Sequence, residues 1–193
     1  MAFHYEWATV RGARTLLMKV AKVVEVYRDP VNAELSVNAE PEVDALWSNP
    51  TDSKRMLLLI PGNPGCINYY QEFALALWRS LGGTVPVWGI SHAGHVFHDK
   101  LKQETFDGNA YPTLQFQVDH KRWFLDHYVP PHVEHITIIG HSIGSYIALQ
   151  MAKQSKDPRI NHVIGLFPTI ERMALTPHGR IYTPVFKYMN CLT

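Results

Sequence analysis

The sequence predicts an α/β fold, in which a central, mostly parallel sheet carries helices on both faces and follows an antiparallel N-terminal pair of strands. Three observations predict it. Met56 to Ile60 form an uninterrupted apolar run, which is typical of a strand buried on both faces. Strand and helix patterns then alternate as far as Phe167, as in β-α-β units. The length of 193 residues, with 46% hydrophobic and 18% charged residues, fits one folded domain over residues 1–193.

The N-terminal pair of strands is predicted from two segments rich in β-branched and aromatic residues. Phe3 to Val10 and Leu16 to Tyr27 flank Arg11-Gly12, a pattern that predicts strand, turn and strand. The next stretch, Asn38 to Lys54, mixes prolines with polar residues and has no period, so we expect a surface loop with a short turn of helix.

The strand at Met56 to Ile60 is followed by a predicted helix from Asn68 to Leu81. Asn68 is placed to cap its first turn, with Gln71 three residues later, and Gly82 suits a left-handed stop. Apolar residues recur at helical spacing, which predicts one inward face. The residues of this face are Tyr70, Phe73, Ala74, Leu77, Trp78 and Leu81.

The rest of the chain repeats the alternation of strand and helix. Strands are predicted at Thr84 to Ile90, Ile136 to Gly140 and His162 to Phe167, and helices at Thr113 to Val129 and Ser142 to Lys153. In the two helices the residues predicted to face inward are Leu114, Val118, Leu125, Val129, Ile143, Ile147 and Met151.

Charge, cysteine content and hydropathy exclude several classes of protein. Lys and Arg number 18 against 17 Asp and Glu, too even a balance for a dedicated nucleic-acid binder. Cys66 and Cys191 are too few for a disulfide framework and fit a reducing compartment. No apolar run reaches the roughly 18 residues that span a bilayer. Residues 1–10 lack the pattern of a secretory signal, so we expect neither a transmembrane helix nor secretion.

The segment Gly140-His141-Ser142-Ile143-Gly144 matches the pattern G-x-S-x-G between a predicted strand and a predicted helix. In that setting the glycines permit a sharp turn that projects the Ser142 hydroxyl above the sheet. The first amides of the following helix favour negative charge beside Ser142. The pattern predicts a nucleophilic serine; a glycine-rich turn with an idle serine is the alternative.

A second loop, Pro61-Gly62-Asn63-Pro64-Gly65, follows the first buried strand directly. A serine nucleophile needs at least two donors for its tetrahedral intermediate, and the Ile143 amide supplies one of them. We expect the Asn63 amide to supply the other, because the glycines on either side free the backbone to turn. The alternative is an ordinary strand-to-helix turn.

Together these segments resemble the α/β-hydrolase fold, and more closely the lipid droplet-associated hydrolase family. The resemblance is carried by the two loops above with their preceding strands, by Ser91 to His95 and by Leu166 to Ile170. It implies a serine esterase or lipase that acts on neutral lipid esters, of the cholesteryl ester or acylglycerol class, at lipid droplets or the cytosolic face of the endoplasmic reticulum. It implies no cofactor and no metal, with Ser142 as the nucleophile.

The sequence departs from that family after Ser142. In this fold an acid and then a histidine follow the nucleophile, on loops after later strands. Asp157, Glu171, His162 and His178 do not match those positions. We therefore expect a C-terminally truncated domain whose late strands are missing, with residues 168–193 as the start of the family's cap region.

Loss of a triad member removes several orders of magnitude in rate, so we expect the chain as written to be inactive. The expected function is a truncated ester hydrolase acting through an acyl-enzyme on Ser142. The alternative is a non-catalytic protein that binds lipid droplets or a partner and retains the hydrolase architecture.

A group of histidines follows the second parallel strand. His92, His95 and His98 with Asp99 are residue types that bind zinc, but Gly94 indicates a loop. We weigh metal binding against hydrogen bonding within the loop or lining of a substrate mouth. The second reading is the one we expect.

Other candidate residues have plainer interpretations. His141 is adjacent to Ser142 on the strand and therefore points to the opposite face, so it is expected to support the elbow rather than act as base. Cys66 is expected to be a structural thiol rather than a reactive one. The segment Ile181 to Met189 is either a lid or membrane-surface patch or an ordinary helix.

Overall fold

A computed structural model of the chain describes residues 2–21, 53–96, 106 and 112–190. Within these ranges the strands are β1 (Ala2–Val10), β2 (Ala13–Ala21), β3 (Arg55–Ile60), β4 (Val87–Ile90), β5 (His135–His141) and β6 (Ile160–Leu166). The helices are α1 (Gln71–Ser80), α2 (Leu114–Tyr128), α3 (Ile143–Gln154) and α4 (Pro177–Asn190). Two 3-10 turns lie at Ile67–Tyr70 and Met173–Leu175.

The strands form one six-stranded mixed sheet in the order β1-β2-β4-β3-β5-β6. β1 pairs antiparallel with β2, and β2 pairs antiparallel with β4. β3, β4, β5 and β6 run parallel, because helices form the crossovers between them. The predicted parallel sheet with an antiparallel lead-in is confirmed.

The apolar run in β3 is buried on both faces of the sheet, as its composition predicts. Leu58 lies in a core cluster with residues of α2 and α3, such as Phe124 and Met151. Its neighbour Leu59 lies in a second cluster on the other face, with Ala74 of α1. Successive residues of a strand point to opposite faces, so a strand between two helical layers must be apolar throughout.

The predicted helix from Asn68 to Leu81 differs from the structure in its first turn. Ile67–Tyr70 is a 3-10 turn, α1 begins at Gln71, and the cap residue Tyr70 makes no side-chain capping bond. The predicted inward face is confirmed in part: Ala74 is buried, and the half-buried residues packed against the same core cluster include Tyr70, Leu77 and Trp78. Ala74 and Leu75 are the buried residues of α1, whereas Phe73 and Leu81 are exposed.

Smaller differences have local causes. The strand predicted from Thr84 begins only at Val87, because Pro86 has no amide to donate to a neighbouring strand. Leu114, predicted to face inward, is the first residue of α2 and is exposed. Gly82 has φ +69°, so the predicted left-handed stop after α1 is confirmed.

β6 is the last strand of the described sheet and pairs there with β5 alone. Several of its residues are exposed, and so is Phe167, directly after it, at 87%. The parts of the predicted strand and loop at residues 22–52 lie outside the described residues, as do His98, Asp99 and Cys191. Among the helices described, none has the length and hydropathy to cross a bilayer.

Candidate active site

Ser142 occupies the junction between β5 and α3, at the carboxyl edge of the parallel sheet. Its backbone has φ 52° and ψ −120°, a conformation that residues other than glycine rarely adopt. Such strain persists only where the surroundings hold it, and it is concentrated at functional sites. Here the Ser142 amide donates to the Leu166 carbonyl at 3.0 Å, which ties the turn to the end of β6.

Gly140 and Gly144 allow this turn because no side chain would fit at either position. A Cβ on Gly140 would meet the backbone of Gly144, and a Cβ on Gly144 would meet the carbonyl oxygens of Ile60 and Pro61. The turn at Ser142 therefore packs backbone to backbone, both on itself and on the end of β3. That packing brings the loop after β3 against the serine.

The loop after β3 contacts the serine turn through Gly62. A Cβ on Gly62 would lie 3.0 Å from the Ser142 Cβ and 2.8 Å from His141 Nδ1. Asn63, the next residue, is exposed, and the Asn63–Pro64 peptide bond is cis. The two predicted loops of the site are thus neighbours in space, although 80 residues separate them in the sequence.

The loop after β4, residues 91–96, supports the loop after β3 from the other side. The His92 amide donates to the Gly65 carbonyl at 2.8 Å, and the Gly65 amide donates to His95 Nδ1 at 3.2 Å. The Ile67 amide donates to Ser91 Oγ at 3.0 Å. His95 therefore has the loop-bonding role that was weighed against metal ligation.

The loop after β4 is in turn held by α2. The Gln117 amide group both accepts from the Ala93 N–H, at 3.0 Å, and donates to the Ala93 carbonyl, at 2.9 Å. Lys121 Nζ donates to Gln117 Oε1 at 2.7 Å. A side chain that satisfies both backbone groups of one residue fixes that residue in orientation as well as position.

Buried basic groups surround this support. Lys121 is fully buried, and burial holds its pKa well below the usual range. Burial, and then the proximity of Lys121, lower the pKa values of His92 and His120 well below the ordinary imidazole value. Among the described residues, no group of three or more His, Cys, Asp or Glu side chains is arranged to hold a metal ion.

Cys66 lies in the same region and has the features of a structural thiol. Its Sγ is 2.9 Å from the His95 carbonyl oxygen, to which it donates, and burial raises its pKa. A thiol with a raised pKa is a weak nucleophile at neutral pH.

The Ser142 hydroxyl is hydrogen bonded to the Thr169 hydroxyl, with 2.8 Å between Oγ and Oγ1. The Thr169 amide also donates to the Ser142 carbonyl at 3.2 Å. In the described part of the chain no imidazole is bonded to Ser142 Oγ. A threonine hydroxyl does not act as a general base, so this hydrogen bond does not activate the serine.

The acids and histidines that follow Ser142 lie elsewhere. Asp157 is bound by Arg159, with Nη2 to Oδ2 at 2.7 Å, and precedes β6 at the opposite edge of the sheet. His162 pairs in register with Thr137, about 13 Å along the strand from the Ser142 end. His178 stacks on Tyr182 in α4.

His141 is bonded to a tyrosine that the sequence analysis placed only on a helix face. Tyr70 Oη lies 2.7 Å from His141 Nδ1 and accepts from the Gly62 amide at 2.9 Å. Like Thr169 and Gln117, Tyr70 was missed as a site residue, because no spacing rule links it to its partners. Asn63 and Ile143 stay predictions as oxyanion donors; no described residue accepts a hydrogen bond from either amide.

A protein-family model described as lipid-droplet associated hydrolase matches residues 53–193, which include both loops of the site. The chain belongs to this family. Sequence similarity extends beyond the matched region, because the human lipid droplet-associated hydrolase is 36% identical over 98% of the chain.

Two more distant members of the lipid-droplet associated hydrolase family are also similar. The lipid droplet-associated hydrolase of Drosophila melanogaster is 36% identical over 79% of the chain, and that of Dictyostelium discoideum is 28% identical over 78%. The alignments cover 56% of the human protein, 52% of the fly protein and 50% of the Dictyostelium protein. The chain thus spans about half the length of these relatives.

Solved structures with the same fold are hydrolases of several kinds. A thioesterase domain from the curacin biosynthetic pathway has a TM-score of 0.59 at 15% identity and covers 100% of the chain and 56% of its own. Epoxide hydrolase A of Mycobacterium thermoresistibile has a TM-score of 0.56 at 15% identity, covering 95% of the chain and 45% of its own. At these identities the likeness shows the fold alone, and the predicted α/β-hydrolase fold of this lipid-droplet associated hydrolase family member is confirmed.

Proposed function

We propose that this chain is part of a serine hydrolase that cleaves carboxylic esters of neutral lipids through an acyl-enzyme on Ser142. The observation that carries the proposal is the backbone of Ser142, held at φ 52° between two glycines that admit no side chain. A serine in an idle turn has no need of this conformation, which costs free energy. The same conformation exposes the hydroxyl above the sheet in enzymes with this motif.

The proposed reaction has two steps. Ser142 Oγ attacks the ester carbonyl carbon while its proton passes to a general base, which returns the proton to the alkoxide oxygen as the C–O bond breaks and the alcohol leaves. Water then attacks the acyl-enzyme, and the carboxylic acid is released with the serine restored. We propose that the Asn63 and Ile143 amides donate to the oxyanion of each tetrahedral intermediate.

The proposed substrate class, cholesteryl esters or acylglycerols, is supported by the apolar surface near the site. Phe167 follows β6, and its ring centroid lies 6.2 Å from that of His141, next to Ser142. Further exposed apolar residues follow in the sequence: Ile170, Leu175, Ile181 and Tyr182. Such a surface suits a substrate or interface made of hydrocarbon. The names of the relatives support lipid droplets as the location, and we extend this proposal to the cytosolic face of the endoplasmic reticulum.

We further propose that residues 1–193 alone have little activity. The hydrogen-bond partner of Ser142 Oγ is Thr169, and the described residues provide no imidazole in its place. A serine without a general base keeps its proton and is a poor nucleophile. The same observation is what favours the second candidate function, a non-catalytic protein that binds lipid droplets or a partner.

A fluorophosphonate probe distinguishes the two functions. We expect labelling of Ser142 in a longer product of the same gene and weak or no labelling of the 193-residue chain. Ser142→Ala abolishes labelling, whereas Ser80→Ala, which removes an exposed hydroxyl on α1, leaves it unchanged. A longer product that folds, as judged by a cooperative urea transition, and still fails to label would overturn the enzyme proposal.

The substrate class needs a separate measurement. Fatty acid release from cholesteryl ester and triacylglycerol emulsions is compared with release from a soluble short-chain ester. We expect higher activity on the emulsions, because the apolar surface beside Ser142 makes no specific contact with a soluble ester. Hydrolysis of the soluble ester alone would support the proposed ester hydrolysis and contradict the proposed class of lipid substrates.

A further inference from the structure

The Tyr70 hydroxyl joins the two loops of the candidate site. It accepts from the Gly62 amide at 2.9 Å and lies 2.7 Å from His141 Nδ1. The Tyr70 oxygen has two lone pairs and one proton, so it can accept from Gly62 and either donate to Nδ1 or accept from an Nδ1–H. In both cases a single hydroxyl links the Gly62 amide to the His141 ring.

Gly62 is the residue of the loop after β3 whose backbone depends most on contacts from other segments to fix its conformation. It packs against Ser142 only because it has no Cβ, and a glycine has more freedom in φ and ψ than any other residue. The orientation of the next amide, that of Asn63, follows from the φ and ψ of Gly62. A rotation at Gly62 would therefore turn the Asn63 amide away without moving the loop.

Tyr70 is itself well fixed. It ends the 3-10 turn whose first residue, Ile67, is buried and bonded through its amide to Ser91 Oγ. Its ring packs edge-on against the His141 ring, with the centroids 5.8 Å apart. Burial raises the pKa of Tyr70, so its hydroxyl proton is retained at neutral pH.

We propose that Tyr70 and His141 are positioning residues, whose hydrogen-bonded bridge holds the Gly62 amide and so aims the Asn63 amide at the oxyanion formed on Ser142. This inference rests on the proposed function and deepens it. The bridge links the turn at Ser142 to the loop after β3, so it fixes the position of the proposed donor relative to the proposed nucleophile.

The first test is independent of activity and uses the 193-residue chain. Amide hydrogen exchange at Gly62 is measured by NMR in Tyr70→Phe, which removes only the hydroxyl. Tyr69→Phe is the matched control, because Tyr69 is the neighbouring residue and is 71% exposed. We expect the Gly62 amide to exchange about tenfold faster in Tyr70→Phe only, since one hydrogen bond protects it. Equal exchange in the two variants would overturn the bridge.

The second test measures the contribution to catalysis in a longer product of the gene. Tyr70→Phe is expected to lower kcat about tenfold with KM unchanged, because the bridge acts on the transition state rather than on binding. His141→Asn places an acceptor near the Nδ1 position and keeps most of the rate, whereas His141→Leu does not. Tyr70→Phe combined with His141→Leu is expected to cost no more than either alone.

The two proposals fail in different ways. A wild-type product that folds but has no labelled serine overturns the proposed function, and the positioning role with it. If the wild type is labelled and active but Tyr70→Phe and Tyr69→Phe have the same kcat, the positioning role alone is overturned. A fall in kcat that His141→Asn and His141→Leu share equally also overturns it, because a side chain that only packs would give that result.

Discussion

The hydroxyl groups of Ser142 and Thr169 are 2.8 Å apart, although 27 residues separate them along the chain. The contact is held by the backbone as well, because the Thr169 amide donates to the Ser142 carbonyl. The segment after β6 thus returns to the candidate nucleophile and bonds to its hydroxyl. Either hydroxyl can be the donor, and where Ser142 donates, its proton is directed to Thr169 instead of to a general base.

Thr169→Val is therefore expected to free the Ser142 hydroxyl. One neutral hydrogen bond is worth about 0.5–1.5 kcal/mol, so fluorophosphonate labelling of a longer product should be about two- to tenfold faster than in wild type. Thr169→Ser keeps the hydroxyl and is expected to label at the wild-type rate. Slower labelling of Thr169→Val would mean that Thr169 activates the serine instead of restraining it.

Gly140→Ala and Gly144→Ala are each expected to destabilise the fold by about 3 kcal/mol or more, because the added methyl group meets backbone that cannot move aside. Gly82→Ala is the control: its φ is +69°, yet no atom lies within 4 Å of the new methyl group, so the cost is about 1 kcal/mol. Urea unfolding followed by circular dichroism measures all three. A cost at Gly140 no greater than that at Gly82 would contradict the packing of the elbow.

Stability is expected to fall as the pH falls from about 7 to 5. The folded-state pKa values of His92 and His120 are lowered, so the unfolded chain binds more protons below its ordinary imidazole pKa of about 6.5. The contribution of each neutral histidine to the free energy of unfolding is therefore complete above that pH. Below it, the contribution falls by up to about 1.4 kcal/mol per pH unit for each histidine.

The variant that tests this pH dependence is His92→Met, which replaces a buried imidazole with an apolar side chain. Its free energy of unfolding should depend less on pH than that of wild type. Phe124→Leu, a change in the core without an ionisable group, should lower stability by the same amount at each pH. An unchanged pH dependence in His92→Met would exclude His92 as a contributor.

Lys121→Met is expected to stabilise the chain at pH 7 by about 1–4 kcal/mol, because a buried amine costs free energy and no carboxylate of the described ranges pairs with Lys121. Gln117 keeps its bonds to Ala93 in this variant, so no polar group is left without a partner. The lowered pKa of Lys121 means that the unfolded chain binds the extra proton, so the wild type gains stability as the pH rises. The difference between the two proteins should therefore shrink by pH 10 in urea titrations.

The edge of β6 that no described strand covers is expected to cause self-association of the 193-residue chain. An unpaired strand edge with apolar residues is a template for pairing with another chain, and Ile164 in β6 is 45% exposed. Ile164→Lys should therefore lower the apparent mass in sedimentation velocity. Leu149→Lys, at a similarly exposed position on α3, is the control and should leave it unchanged. Equal effects of the two substitutions would point to general hydrophobicity rather than the edge.

The features predicted correctly from the sequence are those that the local backbone dictates. The apolar run before Pro61 predicts a strand covered on both faces, and the glycines around Ser142 predict a sharp turn. Each signal is contained within a few residues, so it survives without knowledge of the rest of the fold. The parallel direction of β3 to β6 follows from the alternation of strand and helix.

The features that the sequence does not predict depend on contacts between distant segments. Tyr70 meets His141 across 71 residues, and Thr169 meets Ser142 across 27. Hydrogen bonds of this kind have no fixed spacing. Two residues of the predicted inward face of α1, Phe73 and Leu81, are exposed, while Ala74 and its half-buried neighbours pack in the core as predicted.

The pairing of Gln117 with Ala93 has a consequence for how genetic variants of this protein are understood. Through the loop after β4, α2 supports Gly65, so a change on this helix is expected to alter the loop that packs against Ser142. Screens that score loss of function will recover substitutions at Gln117 alongside those at Ser142. Substitutions at Gln117 would be misinterpreted as simple folding defects unless protein abundance is measured together with turnover.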